Sequence, residues 1–109
     1  MNEVGVSKLF GDYIRAKREA LRKDDPEYSI RRVAQRIGIH HSYLSKIERG
    51  EPAALSEKRV IALAMELGDD PDLLMVMSGK VPESIRRAVF KHPEQVVEAL
   101  KRIIAGPEG

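Results

Sequence analysis

The sequence predicts an all-α protein, and three observations support this prediction. Apolar residues recur at three- and four-residue spacing through most of the chain, as they do in amphipathic helices. No segment alternates apolar and polar residues in the way that a half-buried strand does. Glycine, proline and small polar residues separate the periodic segments, at the points where helices begin and end. At 109 residues the chain has the length of one domain with a small extension.

The first half of the chain is predicted to contain three helices. Ser29 is a favourable N-cap for the second, from Ile30 to Ile37, and Gly38 supplies the turn to the third, from His41 to about Arg49. The first helix has about four turns and is broken by "KDDPEY". Its stripe consists of apolar residues and one lysine whose stem can cover apolar surface: Leu9, Phe10, Tyr13, Ile14, Lys17 and Leu21.

The second half is predicted to contain four further helices. Gly50 and the loop "EPAAL" lead to a fourth helix, which begins after Ser56 and ends at Gly68. Asp70 and Pro71 open a short fifth helix, "PDLLMVM". Pro82 and Pro93 suit the first turns of two more helices, over about 82–91 and 93–105. Met75, Met77 and Phe90 are expected in the core.

Composition excludes several classes of protein. The chain has no cysteine, so it contains neither a disulfide framework nor a thiolate metal site. Its N-terminus is too polar for a secretory signal, and no apolar run is long enough to span a membrane, so we expect a cytoplasmic protein. We find no nucleophile–base constellation and no cofactor loop, and we therefore expect no catalytic residues, no enzyme activity and no cofactor.

The charge is unevenly distributed although the net charge is only +2. Residues 1–60 carry 13 Lys and Arg against 9 Asp and Glu, whereas residues 61–109 carry 6 against 8. Residues 29–50 hold five basic side chains and one acid. This distribution indicates either a polyanion partner at one face or a solvated helix surface.

Residues 30–49 have the spacing of a helix-turn-helix unit. Ala34 is small where two helices cross, and Gly38 can adopt the left-handed conformation that the turn requires. The inner apolar positions are Val33, Ile37, Ile39, Leu44 and Ile47. A hairpin in an ordinary helical bundle would have the same inner face, but it would leave the polar outer face of the third helix unexplained.

The sequence resembles the lambda repressor/Cro-like, or xenobiotic-response-element, family of helix-turn-helix regulators. The resemblance covers about residues 8–78 and is strongest in "YLSKIERG" and in the helix that ends in "ELG". It implies a five-helix DNA-binding domain whose third helix enters the major groove. Residues 1–79 are accordingly interpreted as this domain, and residues 80–109 as a C-terminal helical extension.

The resemblance also implies roles for individual residues. His41, Ser42, Ser45 and Lys46 would contact base edges. Ser29, Ile30, Arg31, Tyr43 and Arg49 would contact the DNA backbone, the first three through the N-terminus of the second helix. Arg18 and Glu48 occupy the positions of a partly buried ion pair that fixes the third helix.

Two residues depart from the family pattern. Ile30 stands where relatives often have a phosphate-binding glutamine, and Glu51-Pro52 begins a loop that is frequently basic. The adjacent histidines do not indicate a metal site, because neighbouring helical residues do not face one ion. His40 is instead expected to cap the third helix, and His41 to titrate near neutrality and to strengthen DNA binding as pH falls.

The C-terminal helices are amphipathic and could serve in two ways. They could cover the first and fifth helices of their own subunit, or they could pair across a homodimer on a palindromic operator, which the resemblance favours. Their apolar residues are Ile85, Ala88, Val89, Val96, Val97, Leu100, Ile103 and Ile104.

Two functions are compatible with these features. The first is sequence-specific binding of double-stranded DNA by a transcriptional regulator, with a repressor favoured. The alternative is an antitoxin-like or antirepressor-controlled module whose C-terminal helices bind another protein.

Overall fold

A computed structural model describes residues 3–106, with side chains from Ser7 onward. This part of the chain contains seven α-helices and no strand, which confirms the all-α prediction. The helices are α1 (Glu3–Arg22), α2 (Ile30–Ile37), α3 (His41–Glu48), α4 (Glu57–Leu67), α5 (Pro71–Met77), α6 (Glu83–Lys91) and α7 (Pro93–Ala105), with a short 3₁₀ helix at Pro26–Tyr28.

The ends of the central helices agree with the predicted caps. Ser29 and Ser56 each accept a hydrogen bond from a backbone N–H in the first turn of their helix. Gly38 and Gly68 end α2 and α4 in the left-handed conformation, with φ of 82° and 69°. His40 caps α3 as expected, because its Nδ1 accepts a hydrogen bond from the backbone N–H of Ser42.

Several predicted features differ from the structure. The helix α1 has 20 residues rather than about four turns, and Leu9 is 64% exposed, so the stripe that faces the core begins at Phe10. Arg49 is the C-cap of α3, and Pro82 is the N-cap of α6 rather than part of its first turn. The expectation that Phe90 is buried is wrong, since the ring is 79% exposed.

The hydrophobic core lies entirely within α1–α5 and the loop before α4. Its buried apolar side chains are Phe10, Ile14, Val33, Ala34, Ile37, Leu44, Ile47, Leu55, Val60, Leu63, Ala64, Leu67, Leu74 and Met75. The helices α6 and α7 pack on each other, and neither contains a buried residue. One hydrogen bond joins α6 to α5, from Ser84 Oγ to Asp72 Oδ2 at 2.9 Å. The apolar side chains of α6 and α7 nevertheless stay largely exposed, so they do not cover α1 and α5, which was one of the two arrangements expected from the sequence.

Candidate nucleic-acid interface

The turn between α2 and α3 is closed by backbone and side-chain hydrogen bonds. The N–H of Ile39 donates to the carbonyl of Ala34 at 3.0 Å, as the left-handed Gly38 allows. Arg59 Nε donates to the carbonyl of Ile37 at 3.3 Å, so a cation from α4 satisfies the C-terminus of α2. These contacts fix the direction in which α3 leaves the turn.

A buried ion pair holds the inner face of α3 against α1. Arg18 Nε and Nη2 donate to the two carboxylate oxygens of Glu48 at 2.7 and 2.9 Å, and the two residues are only 4% and 5% exposed. Arg18 Nη1 also donates to the carbonyl of Tyr28 at 3.1 Å. The hydrogen bonds from Arg18 to Glu48 raise the pKa of the guanidinium above its ordinary value. This arrangement orients α3 and leaves neither residue available to DNA.

Gly11 allows α1 and α3 to approach closely. A Cβ atom at this position would lie 2.3 Å from the carbonyl oxygen of Ile47 and 2.8 Å from that of Glu48. Both atoms belong to backbone and cannot move aside without displacing α3. The sequence analysis did not assign this residue a role, although an isolated glycine inside a helix is a signal of close packing.

The opposite face of α3 carries the polar residues that the sequence predicts there. His41 and Ser45 are half-buried, and Ser42, Lys46 and Arg49 are exposed. Lys46 forms no ion pair within the described part of the chain, so its ammonium group is available to an external acceptor. These five hydrogen-bonding side chains therefore lie on the surface of α3 that faces away from the core.

Arg49 is held by two neighbours instead of standing free. Its Nη1 donates to Ser45 Oγ at 2.5 Å, and its Nε pairs with the carboxylate of Glu51. Glu51 is positioned by the end of the helix, since its N–H donates to the carbonyl of Lys46 while that of Gly50 donates to Ile47. From the sequence, Glu51 is expected only at the start of a loop, and this contact is not predicted.

Tyr43 has a different environment from the phosphate contact implied by the resemblance. Its hydroxyl donates to the carbonyl of Ala54 at 2.6 Å and accepts from the N–H of the same residue at 3.0 Å. The hydroxyl proton is therefore engaged in holding the α3–α4 loop, and a phosphate would have to displace that bond.

The first turn of α3 lies beside the N-terminus of α2. The rings of His40 and His41 are 4.3 Å apart, centroid to centroid. Partial desolvation, and then the charges of Arg31 and His40, lower the pKa of His41 below its ordinary value of 6.5. His41 is therefore mostly neutral at pH 7 and is close to the cation of Arg31.

The basic side chains of α2 fall into two groups. Arg32 and Arg36 pair with Glu27 at 3.6 and 3.7 Å, and Arg36 also pairs with Glu66. Arg31 has no carboxylate partner among the described residues and lies near Ser29, at the start of the helix. Ile30 packs its side chain against the core, so that only its backbone N–H could meet a phosphate.

A helix packed against the core and a second helix whose polar face points outward define the helix-turn-helix class of DNA-binding domains. The helix-turn-helix family model matches residues 14–74, which is more than half of the chain. The protein therefore belongs to the lambda repressor/Cro-like helix-turn-helix family and has the domain of a DNA-binding regulator. No curated protein and no solved structure matches the chain.

Two other kinds of site were sought in the described residues. No helix among them is long and apolar enough to cross a membrane. Within the same residues, no group of three or more histidine, aspartate or glutamate side chains could hold a metal ion.

Proposed function

We propose that this protein is a sequence-specific transcriptional repressor that places α3 in the major groove of an operator. The observation that carries the proposal is the division of α3 into two faces. Leu44, Ile47 and Glu48 fix it to the core, and its opposite face is polar. A helix that served only to complete the bundle would not need its orientation fixed by a buried ion pair.

In this docking the N-terminal half of α3 meets the base edges. His41, Ser42, Ser45 and Lys46 contact bases, and the lysine suits the O6 and N7 atoms of guanine. Ser29, Ile30 and Arg31 contact a phosphate through the start of α2, and Arg49 contacts another phosphate. Tyr43 supports the loop after α3, which differs from its role in the family pattern.

Selection of bound sequences from a random pool of duplexes tests the proposal. We expect one enriched motif, and the logarithm of its binding constant should fall linearly with the logarithm of salt concentration. The slope is about −0.9 for each phosphate that the protein neutralises. Equal recovery of all sequences, or binding that does not respond to salt, would contradict sequence-specific DNA binding.

We further propose that the protein binds its operator as a homodimer that forms through α6 and α7. These helices expose large apolar side chains: Val81 leads into them, followed by Ile85, Val89, Phe90, Val97, Leu100, Ile103 and Ile104. Phe90 and Ile104 are 79% and 83% exposed. Side chains of this kind supply on the order of 100 Å² each, so the set approaches the roughly 800 Å² that each partner buries in a standard interface.

The charges on α7 favour a second copy as the partner. Glu94 and Lys101 are seven residues apart, on the same flank of the stripe formed by Val97, Leu100 and Ile104. When two copies of α7 pack antiparallel about a two-fold axis, Glu94 of each copy lies close to Lys101 of the other. The interface is thus self-complementary in charge as well as apolar.

A charge exchange tests this arrangement. Glu94→Lys and Lys101→Glu should each weaken dimerisation, because each places like charges together, and the double variant should restore it. Sedimentation at several protein concentrations gives the dissociation constants. If the double variant dimerises no better than either single variant, the antiparallel pairing is wrong.

The same exposed apolar residues also favour a second candidate, binding of a different protein through α6 and α7. This is the arrangement of an antitoxin-like or antirepressor-controlled regulator. A full-length protein that remains monomeric at high concentration would favour this candidate over the homodimer.

A further inference from the structure

The two serines on the outer face of α3 are held in opposite hydrogen-bonding states. We propose that Ser45 donates its hydroxyl proton to acceptor atoms of a base, whereas Ser42 accepts a proton from an amino group of a base. This inference rests on the proposed docking of α3 and adds the chemical class of base edge that each serine selects. A serine hydroxyl can otherwise serve either purpose, so it distinguishes bases poorly.

Arg49 fixes the state of Ser45. A guanidinium group has only donors, so the 2.5 Å contact between Arg49 Nη1 and Ser45 Oγ makes the serine oxygen the acceptor. The serine proton remains for another partner, and no other described side chain or carbonyl forms a hydrogen bond with this hydroxyl. Glu51 holds the other side of the guanidinium and so keeps Arg49 directed toward Ser45. Glu51 and Arg49 are therefore positioning residues for Ser45.

His40 fixes the state of Ser42 in the opposite sense. The backbone N–H of Ser42 donates to His40 Nδ1 at 3.2 Å, so this nitrogen carries a lone pair and the ring proton lies on Nε2. Ser42 Oγ lies 2.7 Å from the same Nδ1. Two lone pairs at that distance would repel each other, so the serine must donate its proton to the ring. The outward side of Ser42 Oγ then offers only lone pairs.

The two states select different base edges in the major groove. The Ser45 proton suits N7 or O6 of guanine, N7 of adenine or O4 of thymine. The Ser42 lone pairs suit the amino groups at N6 of adenine or N4 of cytosine. Because three residues of helix rise about 4.5 Å, the two contacts fall on neighbouring base pairs. Every base pair carries an amino group on one base and acceptors as well, so the two states restrict which edge of a pair faces each serine. In each half-site, adenine or cytosine should present its amino group to Ser42, and the neighbouring pair should present an acceptor to Ser45.

Base analogues in the selected operator test this assignment. One set lacks amino groups, with purine in place of adenine and 2-pyrimidinone in place of cytosine. The other lacks acceptors: 7-deazapurines replace purines to remove N7, 2-aminopurine replaces guanine to remove O6, and 5-methyl-2-pyrimidinone replaces thymine to remove O4. Dissociation constants are measured for the unmodified protein, Ser42→Ala and Ser45→Ala on each duplex, and circular dichroism verifies that the variants are folded.

We expect removal of one amino group to weaken the unmodified protein about fivefold, which is the value of one ordinary hydrogen bond. It should not weaken Ser42→Ala further. Removal of one acceptor should have the same effect on the unmodified protein and no further effect on Ser45→Ala. Glu51→Gln should reduce the acceptor effect, because Arg49 loses the carboxylate that directs it toward Ser45. It should also increase affinity for all duplexes, because a negative charge beside the phosphate contact of Arg49 is removed.

The opposite assignment, in which Ser42 responds to acceptors and Ser45 to amino groups, would overturn the inference. So would an operator on which neither serine variant changes the response to any analogue. In both cases the proposed function would stand, because an operator had been selected. A pool without any enriched sequence overturns the proposed function and this inference together.

Discussion

Lys46 and Arg49 are both basic and exposed on α3, but their surroundings give them different tasks. Lys46 has no carboxylate partner in the described residues, while Arg49 is shared between Glu51 and Ser45. A cation that is already paired gains less from a phosphate than an unpaired one, because the first pair must be broken. This difference in pairing predicts how each substitution changes the base preference and the salt dependence of DNA binding.

Lys46→Ala should cost about 1–3 kcal/mol on the selected operator and relax the preference at one base pair in each half-site. Arg49→Ala should reduce the magnitude of the salt slope by at most about one unit. Because Arg49 positions Ser45, it should change base preference only at the base pair that Ser45 faces. Binding of both variants to the operator and to its single-base mutants measures these effects. A uniform loss with Lys46→Ala, together with a change of preference in Arg49→Ala at the base pair assigned to Lys46, would show that α3 docks differently.

The titration of His41 links pH to both folding and binding. The pKa of His41 is lower in the folded protein than in the unfolded chain, where it is about 6.5. The unfolded chain therefore binds more protons at and below about pH 6.5. Because of this, the folding stability decreases as pH falls from about 6.5 through the lower pKa of the folded protein. In the proposed docking, the phosphates close to His41 would favour its imidazolium form, so the complex would bind more protons than the free protein. Affinity for DNA should therefore increase as pH falls from 7 toward 5.5.

Dissociation constants measured over this pH range at constant ionic strength test the linkage. His41→Gln should flatten the dependence, whereas His92→Gln, which changes a histidine in the connection between α6 and α7, should retain it. Affinity that is independent of pH, or equally dependent in His41→Gln, would exclude the role of His41.

The outward positions of α3 could be predicted from the sequence because helical periodicity sorts inner from outer residues. The partners of those residues could not. Arg49 and Glu51 are separated by Gly50, whose φ of 76° reverses the chain and brings the two side chains together. The bond from Tyr43 to Ala54 likewise depends on the path of an irregular loop. Neither contact follows a fixed sequence spacing.

At the scale of the helices, the contact between α1 and α3 depends on one buried ion pair. Arg18→Ala would leave the carboxylate of Glu48 buried without its partner, which costs about 3–5 kcal/mol. Chemical denaturation should show this loss of stability. Arg22→Ala is a matched control on the same helix, since Arg22 is half exposed and its pair with Glu19 should contribute less than about 1 kcal/mol.

Loss of DNA affinity in Arg18→Ala should follow the loss of folded protein. A variant that keeps full stability and nevertheless fails to bind the operator would mean that Arg18 contacts DNA directly. A combined Arg18→Met and Glu48→Leu variant, which removes both charges, should recover much of the stability.

Gly11 gives a second test of the same contact. Alanine is favoured over glycine inside a helix by about 1 kcal/mol, so an unconstrained site would be stabilised by the exchange. We expect Gly11→Ala to destabilise the protein instead, because the added methyl group overlaps the carbonyl oxygen of Ile47. Ala16→Gly, at an exposed site on α1, should follow the ordinary scale and cost about 1 kcal/mol. Stabilisation by Gly11→Ala would show that the helices can separate.

The ends of α2 and α4 could be predicted from sequence because Ser29, Gly38, Ser56 and Gly68 act locally through backbone hydrogen bonds. The exposure of Phe90 could not. Periodicity shows that a helix has an apolar face but not what that face meets, and the partner of α6 and α7 is not fixed by local spacing. The first turns of α1 could not be predicted either, because nothing in residues 3–8 marks the start of a helix.

At the scale of the whole molecule, folding and assembly should be separable. A chain that ends at Pro82 retains every residue of the core, so we expect it to unfold cooperatively. It lacks α6 and α7, and it should sediment as a monomer and bind the operator more weakly. An unchanged dimer would place the interface on α1–α5, and an unfolded fragment would show that α6 and α7 support the core.

A matched change in the full chain separates these effects. Phe90→Ser with Ile104→Ser removes two of the most exposed apolar side chains without touching the core. This variant should keep the thermal stability of α1–α5 and lose the dimer. If it remains dimeric with unchanged affinity, neither residue belongs to the interface.

The location of the whole core in residues 10–75 also has a consequence for how a gene would respond to this protein. Each chain can fold at any concentration, whereas the proposed homodimer would form in proportion to the square of the chain concentration. Below the dimer dissociation constant, occupancy of a two-half-site operator therefore rises about fourfold when the amount of protein doubles. Small changes in synthesis or degradation would be converted into a steep change in transcription, and the strength of the contact between α7 helices would set the concentration at which it occurs.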